Sequence, residues 1–452
     1  MVAESKRFDL GIRCHLLLSM AGGSGEVRSD WFLGIRSGVL DEVGPWIDGR
    51  DQECVRFIDA GRRVVMPGLI NAHTHLAMSL LRGYEDDLPF HKWLFERVFP
   101  VEAQWVDADF VETGVALSAL ECIRFGTTTV NDMYFFTEAA ARVLDRSGLR
   151  ATLAWPFMDF PVPDEKPLGS AALSSRANRF ESFYQLYRDH PRIRPALGPH
   201  APYTCSDDLI REVTALSKRF DVPVHMHVSE TEKEVRDSLQ RYGKTPGQRL
   251  YDLGALHGRF FAAHGVHLTD AEIDLFRETG ASVLYNPDSN FKLGSGIAPI
   301  VKFRKAGVLC ALGTDGSASN NDLSLFGAMD LGTKAQKVAH QDSTAMVALD
   351  ALRLATYEGA RALGLGDQVG SLEPGKRADV ILLRTDLPHV MPLYSLLSQL
   401  VYAYQGLEVD TVICEGKVLL DEGEFQTLDP RVIYPAVERI RKKLVTQLGF
   451  TP

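Results

Sequence analysis

The chain has 452 residues, 45% of them hydrophobic and 24% charged, with a net charge of −10. That length allows a large core and more than one domain, and the acidic balance excludes non-specific nucleic-acid binding as a main role. No apolar stretch approaches the roughly 20 residues that cross a bilayer, so no membrane partner is expected.

Glu4, Lys6, Arg7, Asp9 and Arg13 near the start argue against a secretory leader. The six cysteines include no C-x-x-C pair. They read as small buried apolar residues in a reducing cytoplasm rather than as a thiolate cage for a metal. A homo-oligomer is compatible with this composition, and nothing in it requires one.

Residues 1–63 read as short strands at 9–17, 31–36 and 55–59, with turns at Gly22-Gly23 and Gly44-Pro45. From about residue 64 apolar runs alternate with amphipathic stretches. The runs lie at 64–70, 127–131, 151–156, 195–198, 222–227, 260–264, 282–285 and 308–313. Helical periodicity falls between them, for example at 110–125, 137–146, 206–220, 270–279 and 299–305. Eight strands with eight crossovers predict an α/β fold, a (β/α)8 barrel spanning 64–367. Residues 368–452 return to strands at 379–383, 409–414 and 417–420 and finish in a helix over 430–448. Both chain ends are expected to meet in one small β-sandwich beside the barrel.

The first run leads into His73-Thr74-His75. Side chains two apart on a strand point the same way, so both imidazoles face one side. Among 13 histidines a lone pair of this kind is as readily a packed or surface feature, and His225-Met226-His227 repeats it. The company matters more. The second run ends in Asn131-Asp132, the fourth in His200, the fifth in His227 with Glu230 beyond, the sixth in His264, the seventh in Asn286 and the eighth in Asp315. Barrel active sites sit at the C-terminal strand ends, and core histidines have no reason to choose those ends.

His73, His75, His227 and Asp315 would give a mixed nitrogen and oxygen shell. It suits one divalent ion, Zn2+ best, while Fe2+ accepts the same donors. Such an ion lowers the pKa of its water to about 7, and a proton acceptor and a donor are then needed nearby. Asp315 and His264 are placed for the first task and Glu230 for the second. The fourth run ends in Leu197-Gly198-Pro199-His200 with no lysine near. Two-metal relatives in such barrels commonly carry a bridging carboxylated lysine at that position, so its absence argues for one metal.

The segments P-G-L-I-N-A-H-T-H at 67–75, G-P-H-A-P-Y-T-C-S at 198–206, H-V-S-E-T at 227–231, A-H-G-V at 263–266, L-G-T-D-G at 312–316 and G-S-L-E-P-G-K-R-A-D at 370–379 resemble the amidohydrolase superfamily in order. The likeness is to its mononuclear aminohydrolases and covers nearly the whole chain. Segments 81–89, 93–102 and 286–299 resemble deaminases of 5′-methylthioadenosine and S-adenosylhomocysteine.

The resemblance implies that His73, His75, His227 and Asp315 bind the metal. It implies that Glu230 protonates N1 of an adenine ring, that His264 orients and helps deprotonate the water, and that Asp315 passes a proton to departing ammonia. His200 would meet the purine or ribose, Glu102 the ribose hydroxyls and Trp93 the nucleoside, with Ser319 or Asn290 at the rim. Duller readings exist: Trp93 as core, Glu102 as a helix-start carboxylate, Asn290 and Ser319 as loop stabilisers. His225 reads as packing beneath the site and His267 as loop surface.

The tail-binding region, 155–180, follows the family pattern poorly. Arg176 and Arg179 are its candidates for a substrate carboxylate, while Met158 and Phe160 point to an apolar mouth. Rival readings are a guanine, pterin or triazine hydrolase on the same scaffold, or a non-catalytic metal-binding scaffold.

Overall fold

The computed structural model describes residues 7–163 and 172–448. Eight parallel strands form one sheet in sequential order: β1 (Leu69–Thr74), β2 (Thr127–Met133), β3 (Arg150–Phe157), β4 (Ile193–Pro199), β5 (Val224–Val228), β6 (Phe260–His264), β7 (Ser282–Tyr285) and β8 (Cys310–Leu312). The sheet closes on itself beyond β8. Thr74 bridges Asp315 in parallel, and the Asp315 amide donates to the His73 carbonyl at 2.9 Å. The fold is therefore the expected (β/α)8 barrel. Every residue of β2 and β3 is buried, which is why these strands read as unbroken runs rather than alternating ones.

Local chemistry sets the helix boundaries. Ser206 caps Asp207–Phe220 by accepting from the Leu209 amide. Thr231 does the same for Glu232–Tyr242. Thr269 and Glu272 form a reciprocal capping box for Asp270–Thr279, which ends at the left-handed Gly280.

The flanking strands form two further sheets. One is built from the N-terminal segment alone, in the order Val39–Pro45, Trp31–Arg36, Phe8–Cys14, Cys54–Asp59. The other joins both chain ends, with Val380–Arg384 antiparallel to both Arg63–Pro67 and Val409–Cys414. Leu10, Ile12, Leu33, Val65, Leu382 and Ile413 share the core between them.

Strand boundaries differ from the sequence reading at several points: the expected strand 9–17 is two, Phe8–Cys14 and Leu16–Leu18, in different sheets, and Val39–Pro45 is an additional strand. The run 64–70 is two strands, not one: Arg63–Pro67 pairs in the flanking sheet and only Leu69–Thr74 enters the barrel. Gly68 marks the crossing. A Cβ there would lie 2.2 Å from Thr128 Oγ1, so only glycine lets the chain pass. Apolar composition is continuous across the crossing because both sheets bury their strands, and periodicity alone does not show the change of sheet.

The C-terminal helix Pro430–Leu448 lies against Ala108–Arg124, with Arg439 paired to Asp109 at 2.9 Å. Among the described residues no helix is long and apolar enough to cross a membrane.

Candidate active site

The C-terminal ends of β1, β5 and β6 and the turn after β8 converge. His73 Nε2 lies 3.3 Å and His75 Nε2 3.2 Å from Asp315 Oδ1. His75 Nε2 lies 3.2 Å from His227 Nε2. Ligand atoms of His73, His227 and His264 fall within 4.8 Å of one another, as do those of His73, His75 and Asp315.

The backs of the rings fix their tautomers. His75 Nδ1 donates to the Met133 carbonyl and His227 Nδ1 to the His200 carbonyl, each at 2.6 Å. Both Nε2 lone pairs are then turned towards one point. His73 Nδ1 lies 2.8 Å from His225 Nε2, one layer below.

These residues fit a divalent cation on their own evidence. Two nitrogen lone pairs facing each other at 3.2 Å repel unless a positive charge lies between them. His73 Nε2 is buried with no hydrogen-bond partner. Burial works against charge on His75, yet Asp315 and the Met133 carbonyl overcome it and push its pKa up to about 9, so the slot draws a positive charge. Burial opposes charge on Asp315 as well, but His73 and His75 hold it well below the usual carboxylate range. Burial and the neighbouring imidazoles keep His227 neutral, the form that ligates.

Three of the residues that set this geometry are held in left-handed backbone: Ser229 (φ 51°), His264 (φ 74°) and Asp315 (φ 63°). Non-glycine residues rarely sit there, and such strain gathers at functional sites.

Above the slot opens a cavity walled by His75, His227, His264 and Asp315 at its floor and by apolar side chains higher up. Glu230 lines it, 4% exposed, with Oε2 3.8 Å from His264 Nε2. Burial first, then the charges of Asp315 and Glu234, raise the Glu230 pKa well above its ordinary value, so Glu230 keeps its proton. Burial pulls His264 down to about 3, so its ring is neutral. The Asn290 amide donates to His264 Nδ1 at 2.9 Å, which leaves the ring proton on Nε2, facing the cavity.

Trp93, Glu102, His200 and Ser319 also line the cavity. Tyr134 OH donates to Glu102 Oε1 at 2.7 Å, and burial raises Glu102 to about 7. His200 Nδ1 meets Thr204 Oγ1 at 3.0 Å, and burial lowers its pKa to about 3. Ser319 Oγ donates to the Gly316 carbonyl at 2.9 Å.

Several expected residues stand elsewhere. Asn290, expected at the rim, lies behind His264 and off the cavity wall. Asn131 and Asp132 at the end of β2 are struts. Asn131 Nδ2 donates to the Ala72 carbonyl, while Asp132 Oδ1 accepts from Thr74 Oγ1 and the Leu76 amide, bracketing His75. Asn286 donates to the Leu284 carbonyl. Arg176 donates to the Met158 and Phe160 carbonyls. Arg179 stands 3.9 Å from Glu138 and over the Trp155 ring. Neither arginine lines the cavity. Residues 164–171 of the expected tail region lie outside the described residues. His267 ties its loop to the Ser295 carbonyl at 2.8 Å.

Sequence reasoning missed Tyr134, two residues past Asp132 at the end of β2. It also missed a helical cover over 90–105. Phe90, Trp93, Leu94, Val98, Phe99 and Glu102 reach the cavity from this cover. Its turn Trp93–Val98 is a π-helix. Pro100 two residues on has no N–H to offer the Glu96 carbonyl, and that was the available signal.

The amidohydrolase family model matches residues 64–419. The chain is 42% identical over 420 residues to the 5-methylthioadenosine/S-adenosylhomocysteine deaminase of Caldanaerobacter subterraneus subsp. tengcongensis, covering 90% of this chain and 95% of that one. It is 41% identical over 387 residues to the 5′-deoxyadenosine deaminase of Methanothermobacter thermautotrophicus, covering 86% and 89%. The crystal structure of an adenosine deaminase from Xanthomonas campestris with bound zinc superposes with a TM-score of 0.92 at 38% identity, covering 97% of this chain and 99% of that one. With its barrel, its strand-end donors and these relatives, the chain belongs to the amidohydrolase family and is a metal-dependent aminohydrolase.

Proposed function

We propose that this protein hydrolytically deaminates an adenine nucleoside thioether, 5′-methylthioadenosine and/or S-adenosylhomocysteine, to the inosine analogue and ammonia. The observation that carries this reading is geometric: Glu230 lines the same buried cavity as Asp315, beside His264 at 3.8 Å and above the slot of His73 and His75, with burial driving the Glu230 pKa up and the two imidazoles holding Asp315 down. Two acids pushed apart in this way divide the work of acid and base.

His73, His75, His227 and Asp315 would hold one divalent ion. Zinc is our choice, from the three-imidazole, one-carboxylate donor set and the zinc bound to the Xanthomonas relative. Such an ion supplies Lewis acidity and makes water a better nucleophile at neutral pH.

Glu230 gives its proton to N1 of the adenine, which drains electron density from C6 and opens that carbon to water. His264, with its proton on Nε2, orients the water rather than accepting from it. Asp315 takes a water proton and delivers it to the departing amino group, which leaves as ammonia. N1 keeps its proton in the product, and the remaining hydroxyl proton restores Glu230.

His200 faces the purine with Nε2. Glu102 receives the ribose hydroxyls through the oxygen that Tyr134 leaves free, and Trp93 packs on the nucleoside. The cavity wall carries Phe99, Phe135, Met158 and, among the described residues, no lysine or arginine. A small uncharged 5′ group suits that wall better than a zwitterionic tail. Six free buried cysteines fit the reducing cytoplasm in which we place the protein.

The test is ammonia release from a panel of 5′-methylthioadenosine, S-adenosylhomocysteine, 5′-deoxyadenosine, adenosine and guanine. We expect 5′-methylthioadenosine to exceed S-adenosylhomocysteine in kcat/KM and guanine to be inert. Guanine turnover without nucleoside turnover would move the assignment to the base-only aminohydrolases, since Glu102 has no task on a bare base.

A further inference from the structure

Among the described residues no hydrogen bond to the Glu230 carboxyl is formed. Its ion-pair partner there, His264 Nε2, stands 3.8 Å away, beyond hydrogen-bond distance. The direction of this side chain is therefore set by its backbone, and that backbone is unusual. β5 ends at Val228, Ser229 turns into left-handed space at φ 51°, and Glu230 follows. Thr231 then caps the helix Glu232–Tyr242.

The third residue of that helix, Glu234, reaches back across the turn. Its Oε1 accepts from the Ser229 amide and its Oε2 from the Glu230 amide, each at 2.8 Å. In an ordinary capping box the third residue reaches only the cap amide. Here the carboxylate also takes the two amides before the cap, on either side of the strained residue. Glu234 is 5% exposed. Burial raises its pKa to about 7, against the pull of the backbone amides it accepts from.

We propose that Glu234 is a positioning residue for catalysis: its two-amide clamp holds Ser229 in left-handed backbone and so aims the Glu230 carboxyl at the substrate ring. This rests on the reading of Glu230 as the acid. Glu234 does not line the cavity; it bonds to the amides of the 229–230 turn and to the Thr231 cap.

The test compares three variants of the metal-loaded enzyme on the best nucleoside substrate. Glu234→Gln puts an amide N–H where one oxygen accepted, so one clamp bond is lost. We expect kcat to fall at least about tenfold, KM to change less than about threefold, and metal content to stay at the wild-type value. Thr231→Val removes the cap to the Glu234 amide but leaves the clamp; it should lower Tm while keeping kcat. Glu234→Asp keeps the charge but is one methylene too short to bracket both amides, so it should lose kcat as the Gln variant does. It carries the same test should the Gln variant not fold.

A Glu234→Gln or Glu234→Asp enzyme within twofold of wild-type kcat would overturn the proposal. So would kcat, metal content and Tm falling together in the Glu234 variants. Glu230→Gln separates the two readings. If it retains turnover, the assignment of Glu230 as acid fails. If it loses turnover while Glu234→Gln does not, only the positioning role fails.

Discussion

Glu102 shows how a single residue ties stability to function. Its carboxyl is buried, held by Tyr134, and raised by burial from 4.5 to about 7. The folded protein therefore binds a proton there that the unfolded chain has released. Between about pH 4.5 and about pH 7 the native state holds more protons, so stability falls as pH rises. Glu102→Gln removes this part of the dependence. Thermal melts across that range should show a smaller drop in Tm for the variant than for the wild type. An unchanged pH slope would show that Glu102 does not carry the raised pKa. The nucleoside KM of the same variant should rise about tenfold.

That His73, His75, His227 and Asp315 come together was legible in the sequence because each ends or follows an apolar run, and strand ends share a rim. The residues that serve them were not. Asn290 and Tyr134 act through contacts with His264 and Glu102 across the chain, and no local spacing encodes such contacts. Asp132 and Asn286 sat at strand ends like true site residues but turned inward to brace the backbone.

At the scale of elements, the cover over 90–105 is the least regular and most informative piece. Trp93 and Glu102 both line the cavity, nine positions apart in the sequence. At about 100° per residue an unbroken α-helix would set them on opposite faces. The wide turn Trp93–Val98 slows the rotation and returns Glu102 to the side of Trp93. Pro100→Ala restores a backbone donor and favours a regular helix. We expect kcat/KM on the nucleoside to fall about tenfold with metal content unchanged, measured by steady-state kinetics and elemental analysis. Wild-type kinetics in this variant would show that the proline does not set the phase. The helices between barrel strands were readable because their apolar residues recur with helical period. The π turn is marked only by Pro100 two residues on, a fainter signal than a run of periodic residues.

At the scale of the molecule, the barrel is joined to the flanking sheets through a buried ion pair. Arg150 of β3 meets Asp379 at 3.2 Å, and the same carboxylate accepts the Glu415 amide at 2.8 Å. Removing one partner of such a pair costs about 3 kcal/mol or more. Asp379→Asn should lower the unfolding free energy by about that amount in denaturant titrations while kcat stays at its wild-type value. A matching loss of kcat would mean that the join reaches the rim. The eightfold alternation gave away the barrel, but the split of 64–70 between two sheets did not show, because both sheets bury apolar strands.

The account depends on one divalent ion gathered by residues 242 positions apart, from His73 to Asp315. Adding Zn2+ in steps to metal-free protein, while following deamination of 5′-methylthioadenosine, tests this most directly. Activity should rise linearly and level off at one equivalent per chain. Full turnover without added metal, or a plateau only at two equivalents, would contradict it.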